Sequence, residues 1–313
     1  LVGSELCIRA RDCSTGLILS VRKRTGRLGP GMENGAMGIV ERFYDANAER
    51  EWERLTIERE PHRWLEYQVG MQILDKYLPP APARVLDAGS GPGRYAIALA
   101  QRGYRVTLFD LSGESLALAR RNVAEAGASD RVEGYEQGTA SDLSRFGDEG
   151  FDAVLVMGPL YHLIDEGQRL AAVRESLRVL KAGGIVVAAI INHLGVARSG
   201  VTEFPDWYND PECLGIVDSY TNRVPDDEQR GFTEAYFAHP LELRRWYEEA
   251  GAETISMAAQ EGVAGGLRDG CRQLAENQTA WEHFVQVVLA TCEDPTILGG
   301  SEHTLYIGRK PEP

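Results

Sequence analysis

The stretch VLDAGSGPGRYAIALA, residues 85–100, decides the fold. An apolar run ends in a carboxylate, Asp87, then breaks into a turn with glycines at 89, 91 and 93 and continues as an apolar helix. Glycines spaced this way let a backbone reach dihedrals closed to other residues and let a ligand come close. The amide groups at the start of the following helix favour an anionic or hydroxyl-rich ligand. A glycine-rich turn at the carboxyl end of the first strand is where open α/β sheets bind ligands.

Reading outward, strand and helix alternate. RVTLFD is a second strand and GESLALARRNVAEAG a second helix closed by Gly127. RVEGYE is a weaker third strand and FDAVLVMG a fourth. EGQRLAAVRESLRVLKAGG is a helix with Leu170, Val173, Leu177 and Leu180 inward, and IVVAAII is a fifth strand. Such alternation implies right-handed crossovers and a mostly parallel sheet. Continuous apolar strands fit a sheet covered on both faces. Upstream, HRWLEYQVGMQILDKYL is an amphipathic helix ended by Pro79, Pro80 and Pro82. Downstream, HPLELRRWYEEAG reads as a helix, AETISM as a strand, CRQLAENQTAWEHFVQVVLA as one continuous helix, and HTLYIGRK as the last strand.

The expected architecture is α/β: a seven-stranded, mostly parallel, doubly wound sheet with an N-terminal helical cap and a lid insertion after strand five. The boundaries are residues 1–36 for an N-terminal extension, disordered or foreign to the working protein, and 37–82 for the cap. A ligand-binding core takes 83–193 and a lid 194–231, while 232–313 returns to the same sheet. The extension is set apart by its arginines and the absence of any period, with the working protein expected to start near Met32 or Met37. An Arg-rich targeting segment is its second reading.

A net charge of -14 over 313 residues argues against a nucleic-acid partner. Five scattered cysteines, never in a CxxC pair, give no disulfide framework or zinc site and suit a reducing, cytoplasmic setting. The longest apolar run, Ile185 to Ile191, is too short to span a bilayer, so no membrane is expected. The sequence does not fix an oligomeric state.

Spacing separates the turn from a dinucleotide fingerprint. That pattern wants a third glycine where Arg94 stands, so a nicotinamide-dependent oxidoreductase ranks low. Asp110, ending the second strand, suits a pair of ribose hydroxyls. Together, DxGxGxG from Asp87 and the acid at Asp110 resemble the class I S-adenosylmethionine-dependent methyltransferases. LKAGGIVVAAI resembles that family's closing motif, with Ala182 where proline is usual. The resemblance covers residues 38–193 well and the remainder more loosely.

The resemblance implies S-adenosylmethionine as cofactor. It would be held by Asp87, Gly89, Ser90, Gly91, Gly93, Arg94, Asp110, Leu111, Ser112, Asp142, Leu143 and Met157, with Tyr44 beside them. Asp142 is the candidate for the adenine amine, though it could also cap a short helix. Arg94 could pair with the methionine carboxylate or only solvate its helix.

The loop MGPLYHL after strand four lacks the signature that grips planar amino groups, and it lacks the carboxylates of metal-dependent catechol enzymes. No metal is expected. The cysteines are misplaced for arsenite chemistry. His162 after strand four and His193 after strand five are the candidate bases. Each is also readable as a histidine that merely bonds a loop. Tyr161, Trp207 and Tyr208 are candidate acceptor contacts, which with Tyr220 suggest a small, partly apolar acceptor bearing a hydroxyl or amine. A non-catalytic protein on the same fold, used for binding or regulation, is the principal alternative. A protein substrate would need an open groove.

Overall fold

The computed structural model describes residues 38–222 and 232–312. The N-terminal extension lies outside them, as does the lid from 223 to 231. Two helices, α1 (Ile39–Glu53) and α2 (Pro61–Tyr77), precede the sheet. Pro61 opens α2, where its missing N–H costs nothing. Alternation then runs β1 (Arg84–Ala88), α3 (Arg94–Gln101), β2 (Arg105–Asp110), α4 (Gly113–Glu125), β3 (Val132–Gln137), β4 (Phe151–Val156), α5 (Glu166–Val179) and β5 (Leu180–Ile191). After it come α6 (His193–Glu203), β6 (Tyr220–Asn222), β7 (Ala235–Phe237), α7 (Pro240–Glu249), β8 (Glu253–Ala259), α8 (Arg268–Ala275), α9 (Gln278–Thr291) and β9 (His303–Arg309).

Seven strands form one sheet in the order β3-β2-β1-β4-β5-β9-β8. β1 to β5 are parallel, and β9 runs antiparallel between β5 and β8. The order reverses at β1 and β4, and ligands settle at such a switch point. Alternate residues of each strand face opposite layers. Val85, Val106, Leu155, Val187 and Ile307 pack with α2, α3, α4 and α9. Leu86, Phe109, Val154, Val186 and Tyr306 pack with α5 and α7 on the other side. The uninterrupted apolar runs of β4 and β5 are thereby explained, since both of their faces are covered.

Three features differ from the sequence expectation, the first being that residues 180–184, read as the end of a helix, begin β5. The segment read as one helix from Cys271 is broken between α8 and α9. Asn277 caps α9, its Oδ1 accepting from the Ala280 amide, and this local bond competes with helix continuation. The beginning of the lid is also more ordered than its polar composition suggested. Asn192 caps α6 through the Leu194 amide. Its own amide donates to Glu302 O at 2.7 Å, and its Nδ2 donates to Leu298 O. A Cβ added at Gly195 would press on the Ser301 carbonyl, so α6 lies flat against the turn that leads into β9.

Candidate active site

The turn after β1 is built as its glycines require. Gly89, Gly91 and Gly93 all have positive φ, at 98°, 51° and 89°. A Cβ at Gly91 would meet nothing within 4 Å, which marks open space above the turn. Asp110 closes the turn from β2: Oδ2 accepts from the Gly91 amide at 2.7 Å and Oδ1 from the Ser112 amide at 2.8 Å. Burial pushes its pKa up to about 6, against the lowering pull of these amides. Asp87 is 2% exposed, and its Oδ2 has no hydrogen-bond partner. Burial first, then the nearby charge of Asp110, pushes its pKa up to about 7.

Ser90 Oγ and Arg94 Nε are likewise buried without partners. The Arg94 guanidinium lies 4.2 Å from the centre of the Trp52 ring and donates to the Trp52 carbonyl. Unsatisfied buried polar atoms cost about 1–3 kcal/mol each, so their clustering on one turn points to a polar ligand that satisfies them. Asp87, Ser90, Arg94 and Asp110 together offer what an amino acid joined to a ribose demands: carboxylates for an ammonium and hydroxyls, and a guanidinium for a carboxylate.

The other cofactor candidates are spread around this turn. Ser112 is buried and caps α4 through the Ser115 amide, while its hydroxyl donates to Asp45 on α1. Leu111 is 37% exposed. Met157 is partly buried against the core beneath the turn. Asp142 is exposed, and its Oδ1 accepts from the Ser144 amide. That bond closes a local turn, and no helix follows Asp142 for it to cap. Leu143 is buried and its amide donates to Glu175 Oε2.

On the far side of the turn, Pro159 lies against Gly89. Tyr161 follows it and turns its hydroxyl toward Gly158. His162 Nδ1 donates to Glu234 O at 2.9 Å. A carbonyl only accepts, so the proton is on Nδ1, and Nε2 accepts from the Tyr44 hydroxyl at 2.7 Å. Burial holds the His162 pKa down to about 4, so the ring is neutral at pH 7. The candidate base thus has its lone pair occupied. Phe43, Tyr44, His162 and Phe232 pack ring against ring across this side.

His193 is not with this group. It begins α6, is 2% exposed, and sets Nδ1 against Ala238 O with its ring facing His239. Trp207 packs in one small cluster with Tyr161, Ile191 and Phe237. Tyr208 is 42% exposed and donates to the Ala197 carbonyl, so it faces outward.

A group absent from the sequence reading lies behind Tyr161. Arg54 donates to Glu66 through Nη1 and Nη2, at 2.5 and 3.1 Å, and to Glu51 through Nε. His303, the first residue of β9, pairs through Nδ1 with Glu261 Oε1 at 2.7 Å. Glu261 Oε2 also accepts from the Ser301 hydroxyl and the His303 amide. The carboxylates of Glu66 and Glu261 hold the His303 pKa up at about 9, overcoming burial, so the ring is an imidazolium. Glu66, Glu261 and His303 are near enough to share a cation. Their facing atoms are already engaged by Arg54, Ser301 and one another, which describes an internally neutralised ion cluster.

The comparisons with known proteins agree with this geometry. Residues 85–184 match the family model described as a methyltransferase domain. The tRNA 5-carboxymethoxyuridine methyltransferase of Escherichia coli K12 is 25% identical over 244 residues, covering 77% of this chain and 86% of that protein. The ubiquinone biosynthesis O-methyltransferase of Pseudomonas fluorescens is 33% identical over 156 residues, covering 48% of this chain and 61% of that protein. A solved S-adenosylmethionine-dependent methyltransferase from Methanosarcina mazei shares the fold with a TM-score of 0.52 at 20% identity, covering 77% of this chain and 98% of its own. Residues 85–184 thus carry a methyltransferase domain, and these matches support a class I S-adenosylmethionine-dependent methyltransferase. The same matches support an enzyme with S-adenosylmethionine as its cofactor.

Proposed function

We propose that this enzyme methylates a small-molecule acceptor by in-line displacement, with an oxygen or nitrogen as nucleophile. One observation carries this: the acceptor side of the glycine turn is walled by the packed rings of Phe43, Tyr44, Tyr161, His162 and Phe232 beneath α1. Such a covered, aromatic, mostly apolar wall suits a small ligand. The relative from Escherichia coli is named for a tRNA, but the net charge of -14 here opposes a phosphate backbone.

In this reading residues 37–82 act as a cap and 194–231 as a lid over a core at 83–193. Asp87, Ser90, Arg94 and Asp110 hold the cofactor, which supplies a methyl group on a sulfonium, already a strong leaving group. The protein's part is chiefly to hold the nucleophile in line and exclude water. His162 serves through Tyr44, fixing where the Tyr44 oxygen points. Among the described residues no helix is long and apolar enough to cross a membrane.

The test is calorimetric titration with S-adenosylhomocysteine, and NADH in parallel. Labelled methyl transfer to a small-metabolite fraction and to total RNA should then be compared. Binding of the first ligand alone, and label in the small-molecule fraction, are expected. Label in the RNA would overturn the small-acceptor reading.

A further inference from the structure

Arg169, in the first turn of α5, is 4% exposed and forms no ion pair with a described residue. Of the carboxylates that act on it, Asp165 accepts from the Gln168 amide, Glu242 accepts from Tyr236 and the His239 amide, and Glu166 is exposed. Its Nη1 donates to the Leu163 and Ile164 carbonyls at 2.6 and 2.9 Å. The guanidinium lies 3.7 Å from the centre of the Tyr236 ring and 5.4 Å from that of Trp246, and Nε has no partner. Burying a cation is costly, and carbonyls and ring faces offset only part of that cost. An apolar side chain would fill the space without it. What sets the arginine apart is what it joins.

Leu163 and Ile164 directly follow His162 in the loop after β4. Tyr236, in β7, lies two residues beyond Glu234, whose carbonyl accepts from His162 Nδ1 at 2.9 Å. One guanidinium therefore grips both the chain on which the His162 ring is mounted and the strand that receives its proton. Tyr236 is fixed in its turn, its hydroxyl donating to Glu242 at the start of α7. A shift of either chain would lengthen the bond to Glu234 O and free the ring to carry its proton on Nε2. That nitrogen would then no longer accept from the Tyr44 hydroxyl.

We propose that Arg169 is a positioning residue for methyl transfer, clamping the loop after β4 to β7 so that the His162 proton stays on Nδ1 and the Tyr44 hydroxyl stays where Nε2 holds it. This rests on the reading above that places the acceptor against these rings. Misplacing a group that positions a nucleophile slows transfer without loosening the cofactor. Lysine at this position keeps the charge but not the plane that lies against Tyr236.

The test compares the full wild-type chain with Arg169→Lys, Arg169→Met and Tyr236→Leu. NMR of the His162 ring nitrogens, assigned by their loss in His162→Gln, should show one protonated and one bare nitrogen in the wild type. All three variants should mix the two tautomers. With labelled S-adenosylmethionine, a small-metabolite fraction and total RNA, transfer to whichever fraction takes label should fall about tenfold, the scale of one hydrogen bond. Affinity for S-adenosylhomocysteine should stay within about twofold, which also reports folding. Variants that lower the melting temperature but leave the His162 nitrogens as in the wild type would make Arg169 merely structural and overturn the proposal. Mixed tautomers in the wild type, unchanged transfer, or affinity that falls with the rate would do the same. If neither Arg169 variant folds, Tyr236→Leu decides by the same readings. Failure of the wild-type chain to bind S-adenosylhomocysteine would instead sink the methyltransferase reading, while the ring nitrogens would still show whether Arg169 holds His162.

Discussion

The Tyr44 hydroxyl donates to His162 Nε2 at 2.7 Å, tying α1 to the loop after β4. With Nδ1 committed to the Glu234 carbonyl, the ring is held in one tautomer, and among the described residues no carboxylate bonds it to stabilise a second proton. His162 should remain neutral between about pH 5 and 8, read from its ring signals by NMR, and the rate should show no step near 6.5 from this residue. Tyr44→Phe would leave Nε2 unpaired and cost about 1–3 kcal/mol in urea unfolding. A titration of His162 near 6.5 would return it to the role of base.

Asp87 carries a prediction about protons. Its pKa of about 7 in the free protein comes from burial and from Asp110. An ammonium or sulfonium brought beside it lowers that value, so binding favours the ionised form. S-adenosylhomocysteine should bind more tightly as pH rises from 5.5 to about 7 and level off above. Proton release should appear in calorimetry as a dependence on buffer ionisation enthalpy, and should vanish in Asp87→Asn.

Asp110 orders the turn by accepting the Gly91 and Ser112 amides. Asp110→Ala loses these bonds and, in the proposed site, a ligand contact. At about 1.5–3 kcal/mol for a charge-assisted bond, S-adenosylhomocysteine affinity should fall about tenfold to a hundredfold. An unchanged affinity would remove Asp110 from the cofactor site.

His303 couples stability to pH. Its folded pKa, near 9, exceeds the ordinary value of about 6.5 because Glu66 on α2 and Glu261 after β8 outweigh Arg54 and burial. A raised pKa gives stability that is complete below the unfolded value and lost as pH climbs through the folded one. The melting temperature should therefore drop between pH 7 and 9.5. His303→Gln should flatten that drop.

Gly195 sits inside α6, where alanine is normally favoured by about 1 kcal/mol. Here the added methyl would meet the Ser301 carbonyl and Glu302 Cα, backbone that cannot rotate away. Gly195→Ala should destabilise by about 1–3 kcal/mol in denaturant unfolding, as overpacking does. A gain in stability would mean that α6 stands off the turn.

The sequence makes the sheet legible because each strand and its glycine stop are contiguous. The pairing of Gly91 with Asp110 is legible too, through fixed spacing. Helix breaks are subtler: Asn277 was a visible capping residue inside an otherwise periodic run. The ion cluster escapes any local reading. Arg54, Glu66, Glu261 and His303 come from distant parts of the chain, and only the antiparallel entry of β9 beside β5 brings the last of them to Tyr161. Histidines after β4 and β5 look equivalent by position, yet the bend into α6 turns His193 toward His239.

Adjacent residues of α1 hold opposite ends of the site. Tyr44 reaches the acceptor loop through His162, while Asp45 accepts from the Ser112 hydroxyl and the Glu114 amide, where β2 gives way to α4. A displacement of this one helix unlatches both ends together. One helix therefore couples the two ends, so that loosening either contact loosens the other.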